Sequence, residues 1–352
     1  MDKKIKCAFF VLFFSLVVTM HADQETKQIA HIGFGSCLNP RVSHPILFTI
    51  VDEQPDMFIF LGDNVYADTT DEDTMRARYR ELAESPGFQR LRETCTLLSV
   101  WDDHDYGAND AGNEYPMKLQ SERLFEDFWN IPVNSPRRGR QGIYGVSYFG
   151  PPGRTVQVIL LDTRYFRTPL KRGTHLPTHA RGPYLPQSDP RSHILGSEQW
   201  TWLRTQLLKP AQVRLIVSSI QVLSEHHGWE SWANFPGERD HLFRVIEETG
   251  AEGVIFLSGD RHFAEISTVH PNGLYPLFDI TSSGLNRTFP GKTPNQNRFR
   301  DGAFYLEENF GTIHIDWIRK NPLITARILD ISGETVLEKN IYLRTLSMDE
   351  HR

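Results

Sequence analysis

Five short polar clusters hold most of the reactive chemistry in this sequence. They are Phe34-Gly35-Ser36-Cys37, Gly62-Asp63-Asn64-Val65-Tyr66, Trp101-Asp102-Asp103-His104-Asp105, Ser218-Ser219-Ile220-Gln221 and Ser258-Gly259-Asp260-Arg261-His262. Four of them offer metal ligands. The Asp63 carboxylate has two oxygens and could bridge two cations, and the glycine before it permits the sharp turn that brings it to a strand tip. A Tyr66 phenolate suits a hard trivalent cation, Cys37 could add a thiolate and His262 an imidazole. Asp103 and Asp260 are hard oxygen donors, better matched to Ca²⁺, Mg²⁺ or Mn²⁺ than to Zn²⁺. The set divides into a mixed sulfur, nitrogen and oxygen site and an all-oxygen site that share Asp63. Two cations ~3.5–4 Å apart form the usual clamp for displacement at phosphorus. Each residue alone also has an ordinary reading: a solvated acidic turn at Asp102–Asp105, a core histidine at 262, a half-buried packing tyrosine at 66.

The elements that must position these residues are short apolar runs, each ending at a polar cluster or loop. Ile29–Gly35, Met57–Leu61, Leu97–Trp101, Val156–Leu161, Val213–Ser219 and Val254–Ser258 read as strands. Helical periodicity falls at Ser43–Asp52, Asp71–Ala83, Glu114–Trp129, Ser197–Leu208 and Gly237–Thr249. Alternation of strand and helix indicates a layered α/β fold, whose ligands bind beyond the carboxyl ends of the strands. The last third turns antiparallel. His262–His270 and Leu274–Thr281 flank Pro271-Asn272-Gly273, where Asn-Gly predicts a type I′ turn. Leu323–Asp330 and Thr335–Leu343 flank Ser332-Gly333 as a second hairpin. Two packed sheets with helices outside accommodate both halves of the pattern.

The chain has 352 residues, 39% hydrophobic and 23% charged, with a formal charge of −6, an ordinary globular balance that excludes a disordered or fibrous protein. Its acidity argues against non-specific nucleic-acid binding, which requires a basic field, and no specific nucleic-acid binding is expected. Three lysines within residues 1–6, the apolar run Cys7–Met20 and a small residue at Ala22 read as a secretory signal, too short for a comfortable membrane span. The expected organisation is a signal peptide at 1–22, one catalytic domain at 23–346 and a short polar tail at 347–352, with the protein secreted or periplasmic. Beyond the leader two cysteines remain, Cys37 and Cys95. They either pair in a disulfide or divide into a ligand and a buried packing thiol. A serine esterase is disfavoured, because Gly33-Phe34-Gly35-Ser36-Cys37 and Ser282-Ser283-Gly284 do not form a Gly-x-Ser-x-Gly elbow.

Taken together, the motifs resemble the alkaline phosphatase D branch of the calcineurin-like metallophosphoesterases. Gly35-Ser36-Cys37 stands where that superfamily has Asp-x-His. Gly62-Asp63-Asn64-Val65-Tyr66 matches Gly-Asp-x-x-Tyr. Asp102-Asp103-His104-Asp105 stands for Gly-Asn-His-Asp, and Gly259-Asp260-Arg261-His262 for Gly-His-x-His. The segments around Leu161–Tyr165 and Trp229–Pro236 are also similar. The resemblance implies a four-layer αββα sandwich of two mixed β-sheets flanked by helices. It implies Fe³⁺ held by Cys37, Asp63, Tyr66 and His262, and Ca²⁺ held by Asp63, Asp103 and Asp260, with a further calcium nearby. It implies that His104, kept cationic or hydrogen-bonded by neighbours such as Asp105, contacts the phosphate or protonates the leaving group, that Arg164 binds phosphate oxygens, and that Asn64 and Gln221 line the substrate. The implied activity is hydrolysis of small-molecule, lipid or nucleotide phosphate esters. The alternatives are diester or phospholipase-type cleavage, and a non-catalytic metal-containing protein that binds phosphorylated glycans. The His226–Phe235 stretch reads either as a specificity wall or as a loop of buried aromatics.

Overall fold

A computed structural model describes residues 27–173, 181–289 and 296–350. The expected signal segment lies outside the described residues. Strands β1 (His31–Gly35), β2 (Met57–Leu61) and β3 (Thr96–Val100) are parallel and joined by helices α1 (Ile46–Asp52), α2 (Glu72–Glu84) and α3 (Pro86–Thr94). The one-turn α4 (Asp103–Tyr106) and α5 (Lys118–Phe128) follow, then β4 (Gly145–Phe149) and β5 (Val156–Leu160). Helix α6 (Gly196–Leu207) leads to β6 (Val213–Val217), and α7 (Pro236–Thr249) to β7 (Val254–Ser258). The chain closes with β8 (Ala264–Val269), β9 (Leu277–Ser282), β10 (Arg300–Tyr305), β11 (Asn309–Asp316), β12 (Leu323–Asp330) and β13 (Thr335–Tyr342).

Two mixed sheets result. One runs β13-β12-β11-β1-β2-β3 and the other β10-β8-β9-β7-β6-β5-β4. Every residue of β2, β5, β6, β7 and β9 is buried, as strands covered on both faces must be. Helices α1, α2, α3 and α5 form one outer layer, where Phe88 and Trp129 pack on Phe60 of β2. Helices α6 and α7 form the other, where the Gln199 side chain hydrogen-bonds both the N–H and the carbonyl of Asp162 beyond β5. Isolated bridges Ser36↔Ser283 and Gly284↔Asn309 stitch the two sheets together beside the clusters. The four-layer αββα sandwich is therefore the observed architecture.

One local expectation changes. Between β8 and β9, Val269 pairs with Leu277, so the connection is a longer loop and not a two-residue type I′ turn. Only Gly273 there has a positive φ, whereas type I′ needs two. Pro276, which lacks an N–H, ends the ladder. The described part of the expected polar tail is tied back: Ser347 Oγ and the Met348 N–H both donate to Glu252, and Leu346 is fully buried. Among the described residues no helix is long and apolar enough to cross a membrane.

Candidate metal centre

The clusters meet where the parallel strands of both sheets end. Cys37 lies two residues past β1, Asp63 two past β2, Asp102 and Asp103 two and three past β3, and Asp260 two past β7. Each strand then breaks abruptly. Cys37, Asp63, Asp260 and His262 all adopt left-handed backbone conformations, with φ of 62°, 52°, 68° and 60°. Such conformations are uncommon for residues with a side chain and persist where surrounding contacts impose them. Gly62 (φ 101°) passes so close to the next strand's tip that a Cβ would lie 2.6 Å from Cβ of Asp102. Glycine is thus required before Asp63.

Donor atoms converge in overlapping groups, each within 4.8 Å mutually: Cys37–Asp63–His262, Asp63–Asp103–His104, Asp102–Asp103–Asp260 and Asp103–Asp110–Glu230. The Cys37 thiol lies 3.5 Å from Asp63 Oδ2, and the Tyr66 hydroxyl donates to the same oxygen at 3.2 Å. The mixed set of Cys37, Asp63, Tyr66 and His262 is therefore assembled. The all-oxygen set is arranged differently from expectation. Asp103 joins Asp63 in one group and Asp260 in another, so it is a second hub, and Asp102 enters as a further donor.

The electrostatics fit a set of donors suited to cations. Burial pushes the Cys37 thiol up to about 11 and Asp260 up to about 7, and holds Asp63, Asp102 and the Tyr66 phenol well above their ordinary values. Asp103 is also buried, but Arg164 and His104 bring it down to about 2. Oδ2 of Asp102 is buried and makes no hydrogen bond. Crowded carboxylates forced toward neutrality are what bound cations would return to their charged forms. His262 fits the same role. Burial lowers it to about 4, so the ring is neutral. Its Nδ1 lies 2.6 Å from the carbonyl of Arg287 and must donate there, leaving the Nε2 lone pair for a metal. Ser283 supports both sides, with its hydroxyl 3.1 Å from the Cys37 sulfur and accepting the His262 N–H at 2.8 Å.

His104 stands at the mouth with its side chain 17% exposed. Burial lowers its pKa, but Asp63, Asp103 and Asp68 outweigh burial and raise it to about 11. Its Nδ1 bonds Asp68 at 2.7 Å, and the Tyr66 ring lies beside it, tilted by 35° with 4.2 Å between ring centroids. The partner of the imidazole is therefore Asp68, not Asp105. Asp105 is wholly buried, pushed up to about 8, and binds Asn64 and the Asp102 N–H. Asn64 points inward to Asp105, Ser99 and the Val100 carbonyl. Gln221 is likewise interior, donating to Glu265 at 2.7 Å and Thr281 at 3.0 Å.

Arg164 lies in a buried ion-pair network and does not reach out as the implied phosphate ligand. It is fully buried, with Nε 2.6 Å from Asp102 and Nη1 2.6 Å from Glu230. Arg167 holds the other Glu230 oxygen at 2.8 Å. The Arg164 guanidinium is committed to orienting Asp102 behind the centre. Cys37 and Cys95 are both free thiols at opposite ends of the first sheet, too far apart to bridge. The aromatic loop is split: Trp232 and Phe235 are core residues, while Trp229 is 39% exposed with Arg261 over its ring. Asp68, Ser283, Asp110 and Glu230 were not singled out by sequence. Only Ser283, in a polar pair following an apolar run, carried a signal of the kind used for the other clusters.

Two facing mixed sheets with a carboxylate, thiol and imidazole centre at their carboxyl ends define a sandwich of the metallophosphoesterase type. The fold is similar to that of PhoD (TM-score 0.67, 15% identity, 90% of this chain and 73% of that one) and to a dimetal phosphatase from Danio rerio (TM-score 0.56, 12% identity, 90% and 100%). The chain belongs to the PhoD-like phosphatase family, whose model matches residues 35–294. It is 22% identical over 231 residues to alkaline phosphatase D of Bacillus subtilis (strain 168). That match spans 60% of this chain but only 37% of the relative.

Proposed function

We propose that this protein is an exported, metal-dependent phosphoesterase. The observation that carries the reading is the pair of linked donor groups, one with sulfur, imidazole and phenol and one with carboxylates only, meeting at Asp63 and Asp103. Cys37, Asp63, Tyr66 and His262 suit Fe³⁺, and Asp63, Asp102, Asp103 and Asp260 suit Ca²⁺ or another hard divalent ion. Such ions, when bound, supply Lewis acidity toward phosphoryl oxygens and lower the pKa of water. The chain's own contribution is positioning and proton transfer. Asp68 fixes Nδ1 of His104, so Nε2 is the nitrogen left to protonate the departing alkoxide. Asp102, held by Arg164 and by the Ser219 hydroxyl at 2.7 Å, keeps the carboxylate face rigid. The basic and apolar residues 1–22 support export.

The test is metal analysis and initial-rate hydrolysis of nitrophenyl phosphate against bis-nitrophenyl phosphate, with wild type and Asp63→Asn. We expect the variant to lose both metal content and hydrolysis, because Asp63 belongs to the mixed group and to the Asp63–Asp103–His104 group that links it to the carboxylates. Full retention of both would sink the reading. Faster monoester cleavage indicates a phosphatase. Faster diester cleavage indicates a phosphodiesterase and directs attention to the exposed Trp229. Visible colour that disappears in Tyr66→Phe would identify an iron phenolate.

A further inference from the structure

One arginine at the rim of the centre lies outside the sequence motifs. Arg287 follows β9 by five residues. Its N–H donates to the carbonyl of Cys37 at 3.2 Å, and its carbonyl accepts from Nδ1 of His262 at 2.6 Å. Its guanidinium carbon lies 5.2 Å from the centroid of the Tyr66 ring. One residue thus touches three of the four members of the mixed donor set. Arg287 is exposed, and among the described residues no carboxylate lies within ion-pair distance of it. The other arginines near the centre are committed elsewhere. Arg164 and Arg167 are locked on Glu230, and Arg261, largely buried, leans on Asp260 and the Trp229 ring.

A guanidinium over an aromatic ring uses its flat face there and keeps its edge of N–H donors for an oxyanion. An exposed arginine normally gains little from being pinned, so a pinned one without an acid partner has its donors in reserve. We propose that Arg287 binds the terminal oxygens of the substrate phosphoryl group and of the inorganic phosphate product, the role that the family resemblance implies for Arg164. The preferred ligand class is a phosphate carrying two or more terminal oxygens that can meet the fork bidentately. This inference rests on the phosphoesterase reading above.

The test measures inorganic phosphate binding to the full-length, metal-loaded protein, by calorimetry and as a competitive inhibition constant. Wild type is compared with Arg287→Ala, Arg287→Lys and Arg319→Ala. Arg319 is an exposed arginine paired with Asp316 at the β11–β12 turn and controls for loss of one charge. Arg287→Ala should weaken phosphate at least about 10-fold, the loss of one charge-assisted hydrogen bond or more. Arg287→Lys should fall between, since lysine keeps the charge but not the fork, and Arg319→Ala should match wild type. Metal content and any Tyr66 colour should persist in Arg287→Ala, because the ties to Cys37 and His262 run through the backbone. Undiminished phosphate affinity in Arg287→Ala overturns the assignment and leaves the phosphoesterase reading intact. Loss of metal in that variant also overturns it, making Arg287 a prop of the centre. A metal-loaded wild type that neither binds phosphate nor cleaves esters overturns both.

Discussion

Replacing Arg164 by Met separates a buried positioning role from a direct grip on phosphate. Arg164, Asp102 and Glu230 are each 0–1% exposed at the side chain, and Arg164 contacts both carboxylates. The substitution keeps most of the side-chain volume but strands two buried acids. Removing one partner of a buried pair costs about 3–5 kcal/mol, because the desolvated charge that remains has no counter-ion. Unfolding entropy near 2.1 cal/mol/K per residue gives this 352-residue chain about 0.7 kcal/mol/K, so Tm should fall by about 4–7 °C. The assay is differential scanning calorimetry at fixed excess of metal, since bound ions themselves raise Tm. Glu230→Gln and the double variant complete a cycle, and the double loss should be smaller than the sum of the single losses. Metal affinity should weaken as Asp102 loses its orientation. A Tm within about 1 °C of wild type, combined with intact metal binding and selective loss of phosphate affinity, would refute the placement and return Arg164 to the cleft.

Two further outcomes follow from burial. Asp279 is fully buried, accepts hydrogen bonds from the N–H groups of Val222 and Leu223 and from Ser258, and is pushed by burial up to about 6. Its folded value exceeds that of the unfolded chain, so the native state holds the proton more tightly between about pH 4 and 6. Its contribution to stability is therefore present below that window and lost as pH rises through it. The Tm difference between wild type and Asp279→Asn should change across pH 4–6 and be flat from pH 7 to 8; a difference that is flat throughout contradicts the assignment. Alkylation of the unfolded, unreduced protein followed by mass spectrometry should label both Cys37 and Cys95. An unlabelled pair would show a disulfide that the distance between the strand ends forbids.

The legible parts of this fold were those that local chemistry enforces. Strands β2 and β7 have the ends read from sequence, because a fully buried run, five apolar residues in β2 and four apolar residues plus Ser258 in β7, leads directly into Gly62-Asp63 and Gly259-Asp260. Helix α3 was passed over although Ser85-Pro86 announces it, with a capping hydroxyl and a proline in the first turn. Strand β11 was missed for a different reason. It pairs with β1 across most of the chain, and no local pattern encodes so distant a partner. The donor types and their shared location were readable because each ends a strand. The direction of each side chain was not: Arg164, Asn64, Asp105 and Gln221 sit at suggestive positions yet turn inward. Asp68 takes its role from a contact across the loop to His104, which sequence spacing does not reveal.

The division of donors between the two sheets has a consequence for assembly. Cys37, Asp63, Tyr66 and Asp103 follow strands of the first sheet, whereas Asp260 and His262 follow β7 of the second. Neither half of the chain carries a full coordination sphere. An ion captured here would fasten one layer to the other like an inorganic rivet, and its capture must wait until distant stretches of polypeptide have met. Under the proposed function, stripping the ions would loosen this seam, so the event that abolishes hydrolysis would also expose the chain to proteolysis. Metal supply would thereby act as a quality check on the finished fold.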